Sequence, residues 1–487
     1  MNPAPDDISN SSQFQRYIPL AVWLVVIVTL VVIPFRILSY GFLPGGDARR
    51  HVAKAFTDKP YTEILLLRSD YTMDHSPGWE KILRHLHVTG GLDLNALVVV
   101  SVAGLMLCVF CAPLPWLRRP EAWLAALLAQ MIAIPEVMMR LTQARPLLFT
   151  EGVLIAILFA WSKSEVQKPS YLKLTLTTLG IALSVWIHGA WYLWAVPLFG
   201  FCLARAWRTA MWLAVCIAVG VFAGALFTGK PIEFLRQALL IVADISREHL
   251  PSWLLVGELR PSYGEFDTLA LIALVALWRR LQNRPQTALL DQPVFCLIIA
   301  CWILGFKADR FWADWGVPAV LVWLTFQFEE LLPTLTFAGA PRRLVLCGLI
   351  AIPLFLHATN DLDRRYTINL SEPFLDASDP ALAGWFPDKN GIFYSAQMEL
   401  FYNTFYKNPQ GDWRYILGLE PALMPDEDLH TFRTIQFNKF ALPAYEPWIK
   451  KMQPADRLAL YSAGEPNLPA LQWHNAVGNL WIGRKPR

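Results

Sequence analysis

The sequence predicts a polytopic α-helical membrane protein of about eleven transmembrane helices with a C-terminal extracytoplasmic α/β domain, and three observations carry that expectation. Of the 487 residues, 55% are hydrophobic and 17% charged, with a mean hydropathy of +0.36, a balance that a soluble globule of this size would rarely show. Apolar runs near spanning length recur from residue 17 to residue 358, and short Lys/Arg clusters separate them. Beyond residue 358 the chain turns polar and aromatic.

In chain order, spans are expected near 17–38, 95–115, 121–139, 146–161, 172–187, 190–204, 209–228, 266–279, 291–306, 315–329 and 343–358, the third, eighth and eleventh being short. No small-residue cleavage signal follows the first run, which therefore reads as a retained signal anchor. Arg118/Arg119, Lys163/Lys168/Lys173, Arg205/Arg208, Arg279/Arg280/Arg284 and Arg342/Arg343 fall in alternate short loops and mark one face as cytoplasmic, with the N-terminus on that side. Lys173 and Arg205 bracket the run from 174 to 204, and both reach the cytoplasmic face only if the chain turns back at His188-Gly189. That makes two spans of it.

An odd number of crossings places three polar segments together on the outer, periplasmic side of a bacterial inner membrane: the first loop 39–94, the loop 229–265 and the tail 359–487, with residues 1–358 as the multi-span core. Within 229–265, Glu233, Arg236, Gln237, Asp244, Arg247 and Glu248 alternate at helical spacing with Ile232, Leu235, Leu239, Val242 and Ile245, the pattern of an amphipathic helix lying on the leaflet. The tail is long enough for a small α/β domain. Its tracts Trp385-Phe386-Pro387-Asp388 and Leu400-Phe-Tyr-Asn-Thr-Phe-Tyr406 read either as ordinary core or as surfaces that stack on sugar rings.

Composition also excludes. The net charge of +3 is scattered and forms no basic face, so nucleic acid is not a partner. All seven cysteines, Cys108, Cys111, Cys202, Cys216, Cys296, Cys301 and Cys347, lie in apolar runs, so they read as small buried hydrophobes and not as a disulfide or zinc framework. Neither a repeat nor a low-complexity tract is present, which removes solenoids and stalks.

The sharpest local signal is Gly45-Gly46-Asp47-Ala48-Arg49-Arg50-His51, just after the first span. The glycines allow a sharp turn at the membrane surface, and Asp47 is placed to cap the helix that follows. A carboxylate partly desolvated at the water-lipid boundary is also suited to act as a general base toward a hydroxyl. Further on, Asp70-Tyr-Thr-Met-Asp74-His75-Ser76-Pro77-Gly78-Trp79-Glu80 sets Asp74, His75 and Glu80 about a Pro-Gly turn, where they cap the turn, position an acceptor, or bind a divalent cation together with Asp47. The second outer loop brings Glu136, Arg140 and Arg145 to the same face, as anchors against head groups or as forks for a lipid phosphate. Glu151 lies inside the fourth span, where an ionisable group is a functional candidate by default, with Arg145 or Arg140 as partner. His188 at the turn between the fifth and sixth spans, and Lys307, Asp309 and Arg310 after the ninth, converge on that side. Lys307 and Arg310 stand against the positive-inside bias and suggest an anion site.

The Gly46-Asp47 motif after the first span, the long first outer loop, the Arg145-Pro146 opening of the fourth span and the outer C-terminal domain together resemble the GT-C superfamily of integral-membrane glycosyltransferases. The resemblance implies that a hexosyl or pentosyl unit is transferred from a polyprenyl-phosphate donor to a hydroxyl of a lipid, glycan or protein acceptor, with inversion. Asp47 would be the general base, and Arg140, Arg145, Lys307 and Arg310 would stabilise the leaving phosphate. His51, Asp74, His75, Glu80, Glu136, Glu151 and His188 would position acceptor or substrate. Ala48 stands where members of the superfamily often carry a second acid, which leaves the use of a divalent cation open. No nucleotide-binding Gly-rich motif is present, and a lipid-linked donor needs none.

Two other functions fit a polytopic chain: a transporter or flippase of a lipid-linked sugar, and a non-catalytic membrane subunit of an export or assembly complex. Against the carrier stand the lack of matching halves and of paired broken helices, and an outer domain that transport does not require.

Overall fold

The structure, a computed structural model, describes residues 6–71, 75–162, 168–247, 250–255, 257–262, 266–286, 292–334 and 340–486. The apolar runs fold as helices: α1 (Asp6–Leu38), then, after the three helices α2 (Asp47–Phe56), α3 (Tyr61–Ile64) and α4 (Pro77–Gly90), α5 (Leu94–Cys111) and α6 (Pro120–Ala133). Next come α7 (Glu136–Thr142), α8 (Leu147–Trp161), α9 (Tyr171–Ile187), α10 (Ala195–Leu203), α11 (Trp207–Leu226), the amphipathic α12 (Pro231–Arg247), α13 (Phe266–Leu281), α14 (Pro293–Gly305), α15 (Val317–Leu331) and α16 (Ala340–Thr359).

Among the described residues, Tyr17–Leu38, Leu94–Trp116, Trp207–Leu226 and Pro341–Thr359 are individually long and apolar enough to cross a bilayer. The remaining apolar helices, among them Leu147–Trp161, Tyr171–Ile187 and Pro293–Gly305, are shorter than that. Exposed side chains recur along single faces, Met211, Val215, Val219 and Phe222 on α11 and Val345, Leu349, Ile352 and Leu356 on α16, which is how a lipid-facing stripe looks.

The expected third span, 121–139, does not form as one rod. α6 stops at Ala133, Ile134 is turned out of the helical region before Pro135, and α7 leaves at 110°. A residue before proline is sterically pushed from the α region, and proline brings no N–H to continue the ladder. The expected reversal at His188-Gly189 is present, because α9 ends at Ile187 and His188 is extended.

Helix contacts follow from small residues. α9 and α11 approach closely where Gly220 and Gly224 face them, and a Cβ at Gly220 would stand 2.8 Å from the carbonyl oxygen of Thr178. Gly224 meets the backbone of Ala182 just as tightly. Gly224→Leu is therefore expected to destabilise the solubilised protein by about 1–3 kcal/mol, read as a lower melting temperature. An unchanged melt would show that the two helices part without loss.

Three of the basic clusters, Arg118/Arg119, Arg279/Arg280/Arg284 and Arg342/Arg343, meet acidic partners at one end of the bundle. The Arg343 fork donates to both oxygens of the buried Glu121, at 2.6 and 2.8 Å, with Arg119 at 3.6 Å from the same group. Arg279 pairs with Glu330 at 2.6 Å, and the backbone N–H of Arg118 donates to Glu329 at 2.8 Å.

The opposite end carries the C-terminal domain. Its sheet, β1 (Ile392–Tyr394), β2 (Arg414–Tyr415), β3 (Arg457–Tyr461), β4 (Gln472–Val477) and β5 (Leu480–Arg484), has the order β2-β1-β3-β5-β4. β1 runs parallel to β2 and β3, the crossover to β2 passing through α17 (Met398–Lys407), while β3, β5 and β4 are antiparallel. Gly478 at φ +57 turns the β4–β5 hairpin, a conformation that only glycine adopts without strain. α18 (Asp426–Phe437) and α19 (Glu446–Lys451) complete the domain.

The first loop belongs to this domain. Leu65 pairs with Tyr415 at the free edge of β2, and Ala53, Tyr61, Ile64 and Leu65 share one buried cluster with Phe393, Phe401, Phe405 and Tyr415. Burying each of the larger apolar side chains stabilises by roughly 1.5–3 kcal/mol, so the loop and the tail hold each other. Most aromatics of the Leu400–Tyr406 tract are spent on this core, so there the ordinary reading of that tract holds.

Candidate active site

The Gly45-Gly46 turn delivers Asp47 differently from the sequence expectation. Gly46, at φ +69, is the flanking residue, Asp47 is the first residue of α2, and no side chain caps the helix. The sequence-based N-cap assignment of Asp47 is corrected accordingly: the turn needs a left-handed residue, glycine supplies it, and the carboxylate is released for other partners. Arg50 Nη2 lies 3.3 Å from Asp47 Oδ1, Arg145 Nε lies 3.7 Å from Oδ2, and the Tyr402 hydroxyl donates to Oδ1 at 3.4 Å. Burial opposes ionisation of Asp47, yet the Arg50 and Arg145 guanidiniums and His51 outweigh it and hold the carboxyl far below the usual range.

Behind Asp47 lies a closed network. His51 Nδ1 meets Glu80 Oε1 at 3.1 Å, the Tyr61 hydroxyl donates to the same oxygen at 2.5 Å, and Arg50 donates to Tyr61 at 2.8 Å and to His51 Nε2 at 3.1 Å. His51 is 1% exposed and Glu80 7%. They stand beside Asp47 and fix the helix that presents it. On the other side of α2, Arg49 is held by Asn403 and by Glu372 at 2.6 Å, which ties the helix to the C-terminal domain.

The cations sort into engaged and available. Arg140 spans Asp309 at 2.6 Å and Asp314 at 2.7 Å, and Arg310 Nε lies 3.3 Å from Asp314. With both arms occupied, Arg140 is positioned to hold the turn that carries Arg310. That turn is π-helical over Trp312–Gly316, a distortion that helices often keep at functional sites, and it buries Asp314. Glu151 lies in the field of Asp314 and Arg140, the second of its two expected partners. Arg145 contacts Asp47 through Nε, while its Nη1 is paired with Glu258 from the loop after α12.

His75 and His188 meet edge to face, ring centroids 5.1 Å apart. Burial, His75, Arg310 and His51 keep the His188 imidazole well below its ordinary pKa, and Asp47 pulls the other way. The fold thus brings Asp47, His51, His75, Glu80, Arg140, Arg145, Glu151, His188 and Arg310 to one end of the bundle. Lys307 and Glu136 are exposed and make no ion pair among the described residues, and Asp74 lies outside the described residues.

Four participants escaped the sequence reading. Asp314 carried a signal, an acid inside the apolar run Trp312-Ala-Asp314-Trp315. Tyr402, Glu420 and Glu258 carried none, being ordinary polar residues in distant segments. Burial raises the Glu420 carboxyl, Asp47 adds to it, and Arg310, Arg145 and Arg433 oppose.

Of the candidate ligands of a divalent cation, Asp74 lies outside the described residues, Asp47 is flanked by two guanidiniums, and no three His, Cys, Asp or Glu side chains among the described residues come together to hold a metal, so no step is routed through one.

No protein-family model and no curated protein matches the sequence. Solved structures do. The crystal structure of ArnT from Cupriavidus metallidurans bound to undecaprenyl phosphate aligns with a TM-score of 0.53 at 12% identity, over 95% of this chain and 97% of that one. The oligosaccharyltransferase of Archaeoglobus fulgidus, tethered with an acceptor peptide containing the NVT sequon, aligns with a TM-score of 0.51 at 12% identity, over 98% of this chain and 75% of that one. At such identity the likeness is one of fold, and it extends over bundle and C-terminal domain alike: the chain has a GT-C superfamily fold, as these two structures do.

Proposed function

We propose that this protein is a membrane glycosyltransferase that moves a sugar from a polyprenyl-phosphate donor to an acceptor hydroxyl on the periplasmic side of a bacterial inner membrane, with inversion and with Asp47 as general base. The observation that carries the reading is Asp47 ionised against Arg145, at the end of the bundle opposite the basic clusters. Two fold neighbours support it, one bound to undecaprenyl phosphate and one tethered with an acceptor peptide.

The chemistry follows from the charges. The donor phosphate takes the Nη edge of Arg145, with Arg310 nearby, and the lipid tail lies along the bundle. Its negative charge offsets the Arg145 guanidinium, which otherwise holds Asp47 at its weakest as a base, so donor binding raises the basicity of Asp47 when it is needed. The acceptor hydroxyl gives its proton to Asp47 and attacks the anomeric carbon as the phosphate leaves with the bonding pair. The two guanidiniums stabilise the charge that develops on the phosphate.

Glu258 occupies the edge of Arg145 that the phosphate requires. Glu258→Gln is expected to lower the donor KM about three- to tenfold, because a neutral amide competes less for the guanidinium. An unchanged KM would place the phosphate elsewhere. The reading itself is tested by reconstituting the protein with a polyprenyl-phosphate sugar and acceptor lipids, glycans or peptides, and following release of free polyprenyl phosphate. Sugar transfer supports it, whereas movement of intact donor across the bilayer without release identifies a flippase.

A further inference from the structure

The segment after β2 is pinned to the first outer loop. The Leu66 N–H donates to the Tyr415 carbonyl at 2.9 Å, the Arg68 N–H donates to the Leu423 carbonyl at 2.9 Å, and Gly418 is pressed against Leu65 and Phe401. Glu420 lies inside this clamp, its own carbonyl accepting from the Leu423 N–H at 2.9 Å to close a short turn. Its half-buried side chain therefore enters the site from the C-terminal domain at a fixed point.

The groups in its field come from every wall of the site: Asp47 of α2, Arg145 ahead of α8, Arg310 before the π-turn, Arg433 of α18, and the phenols of Tyr192 and Tyr402. Asp244 of α12, the helix packed against the turn, is occupied by Arg68 at 2.7 Å. Of the other acids of the cluster, Asp47, Glu80, Glu258, Asp309 and Asp314 are engaged in direct ion pairs, and Glu151 lies within the bundle in the field of Asp314 and Arg140. The Glu420 carboxyl makes no direct ion pair or hydrogen bond with any described residue, and it stands among the cations assigned to the donor phosphate.

We propose that Glu420 is a further catalytic residue of this site, a carboxylic acid from the C-terminal domain that donates a hydrogen bond to the phosphate oxygen leaving the sugar. The proposal rests on the glycosyltransferase reading above. Burial and Asp47 already favour the neutral form of Glu420, and an arriving phosphate adds negative charge that favours it further. In the step, the bond from acceptor oxygen to anomeric carbon forms as the bond from that carbon to the phosphate oxygen breaks. The acceptor proton goes to Asp47, and the Glu420 proton is shared with the departing phosphate until the product leaves. One acid is thus kept charged and the other neutral by different neighbours, the division of labour that paired carboxylates need.

The test is the binding of undecaprenyl phosphate to the full-length protein in nanodiscs, at pH values from about 4, the ordinary glutamate range, to about 9, for wild type, Glu420→Gln and Glu420→Ala. Glutamine keeps a donor and cannot ionise. Wild type and Glu420→Gln are expected to bind alike at the acid end, while Glu420→Gln binds about tenfold more tightly at the alkaline end, where the wild-type carboxylate repels the phosphate. Glu420→Ala is expected to bind several-fold more weakly than either at the acid end. His51, His75, His188 and Asp47 are present in all three proteins, so the comparison isolates the change made at residue 420. Parallel pH profiles for wild type and Glu420→Gln, or an alanine variant equal to wild type, overturn the assignment while leaving the glycosyltransferase reading intact. Absence of undecaprenyl phosphate binding by the wild type overturns both.

Discussion

Asp47→Asn is expected to lower kcat for sugar transfer by roughly 10²–10⁴-fold, the usual contribution of a positioned general base, while the donor KM changes little. The amide keeps the size of the carboxyl and still accepts from Tyr402, so α2 should stay in place. What it loses is the capacity to take the acceptor proton. The Arg50 side chain, also held by Tyr61 and His51, has other partners to keep it ordered. A kcat within a few-fold of wild type would remove Asp47 from the chemistry and shift attention to another acid of the cluster.

Arg145→Gln is expected to lower kcat/KM by about 10²–10³-fold, with the donor KM raised and kcat reduced together. The guanidinium serves the phosphate in both ground and transition states, so both constants should move. Arg145→Lys should recover only part of the loss, because an ammonium presents a point charge and not the two-pronged edge that matches phosphate oxygens. The same substitution to Gln removes a cation beside Asp47, so its carboxyl should become less acidic in the free protein. A loss confined to kcat, with KM unchanged, would mean that Arg145 serves Asp47 and does not bind the donor.

Much of the architecture could be read in advance because it depends on local pattern. Apolar runs, basic loop clusters and the break at His188-Gly189 each act over a few residues, and the bundle keeps them. The bend between α6 and α7 was written in Pro135, but an uninterrupted run of apolar composition hid it. The sequence placed Asp47, His51 and Arg145 on one side, and the fold brings them together, whereas Tyr402 was not anticipated. Tyr402 stands 355 positions away in the chain, and the edge pairing of Leu65 with Tyr415, the shared apolar cluster and the Arg49 tie to Asn403 bring its helix onto α2. Arg140 was expected at the phosphate by type and position, and its pairing with Asp309 and Asp314, like that of Arg145 with Asp47 and Glu258, could not be read from the sequence. Residue type marks which side chains can bind an anion, and the fold decides which carboxylates they meet.

The central claim is that the Gly-Gly-Asp turn faces the periplasm and lines the place where a polyprenyl phosphate binds. Gly45 tolerates a side chain, since a Cβ there would lie 3.6 Å from Asn369 in ordinary contact. Labelling of Gly45→Cys with a membrane-impermeant maleimide in cells with an intact inner membrane, above the background of the native cysteines, measures both parts at once. The account predicts rapid labelling from outside that undecaprenyl phosphate slows. Labelling that appears only after the inner membrane is opened, or that undecaprenyl phosphate leaves untouched, would contradict it.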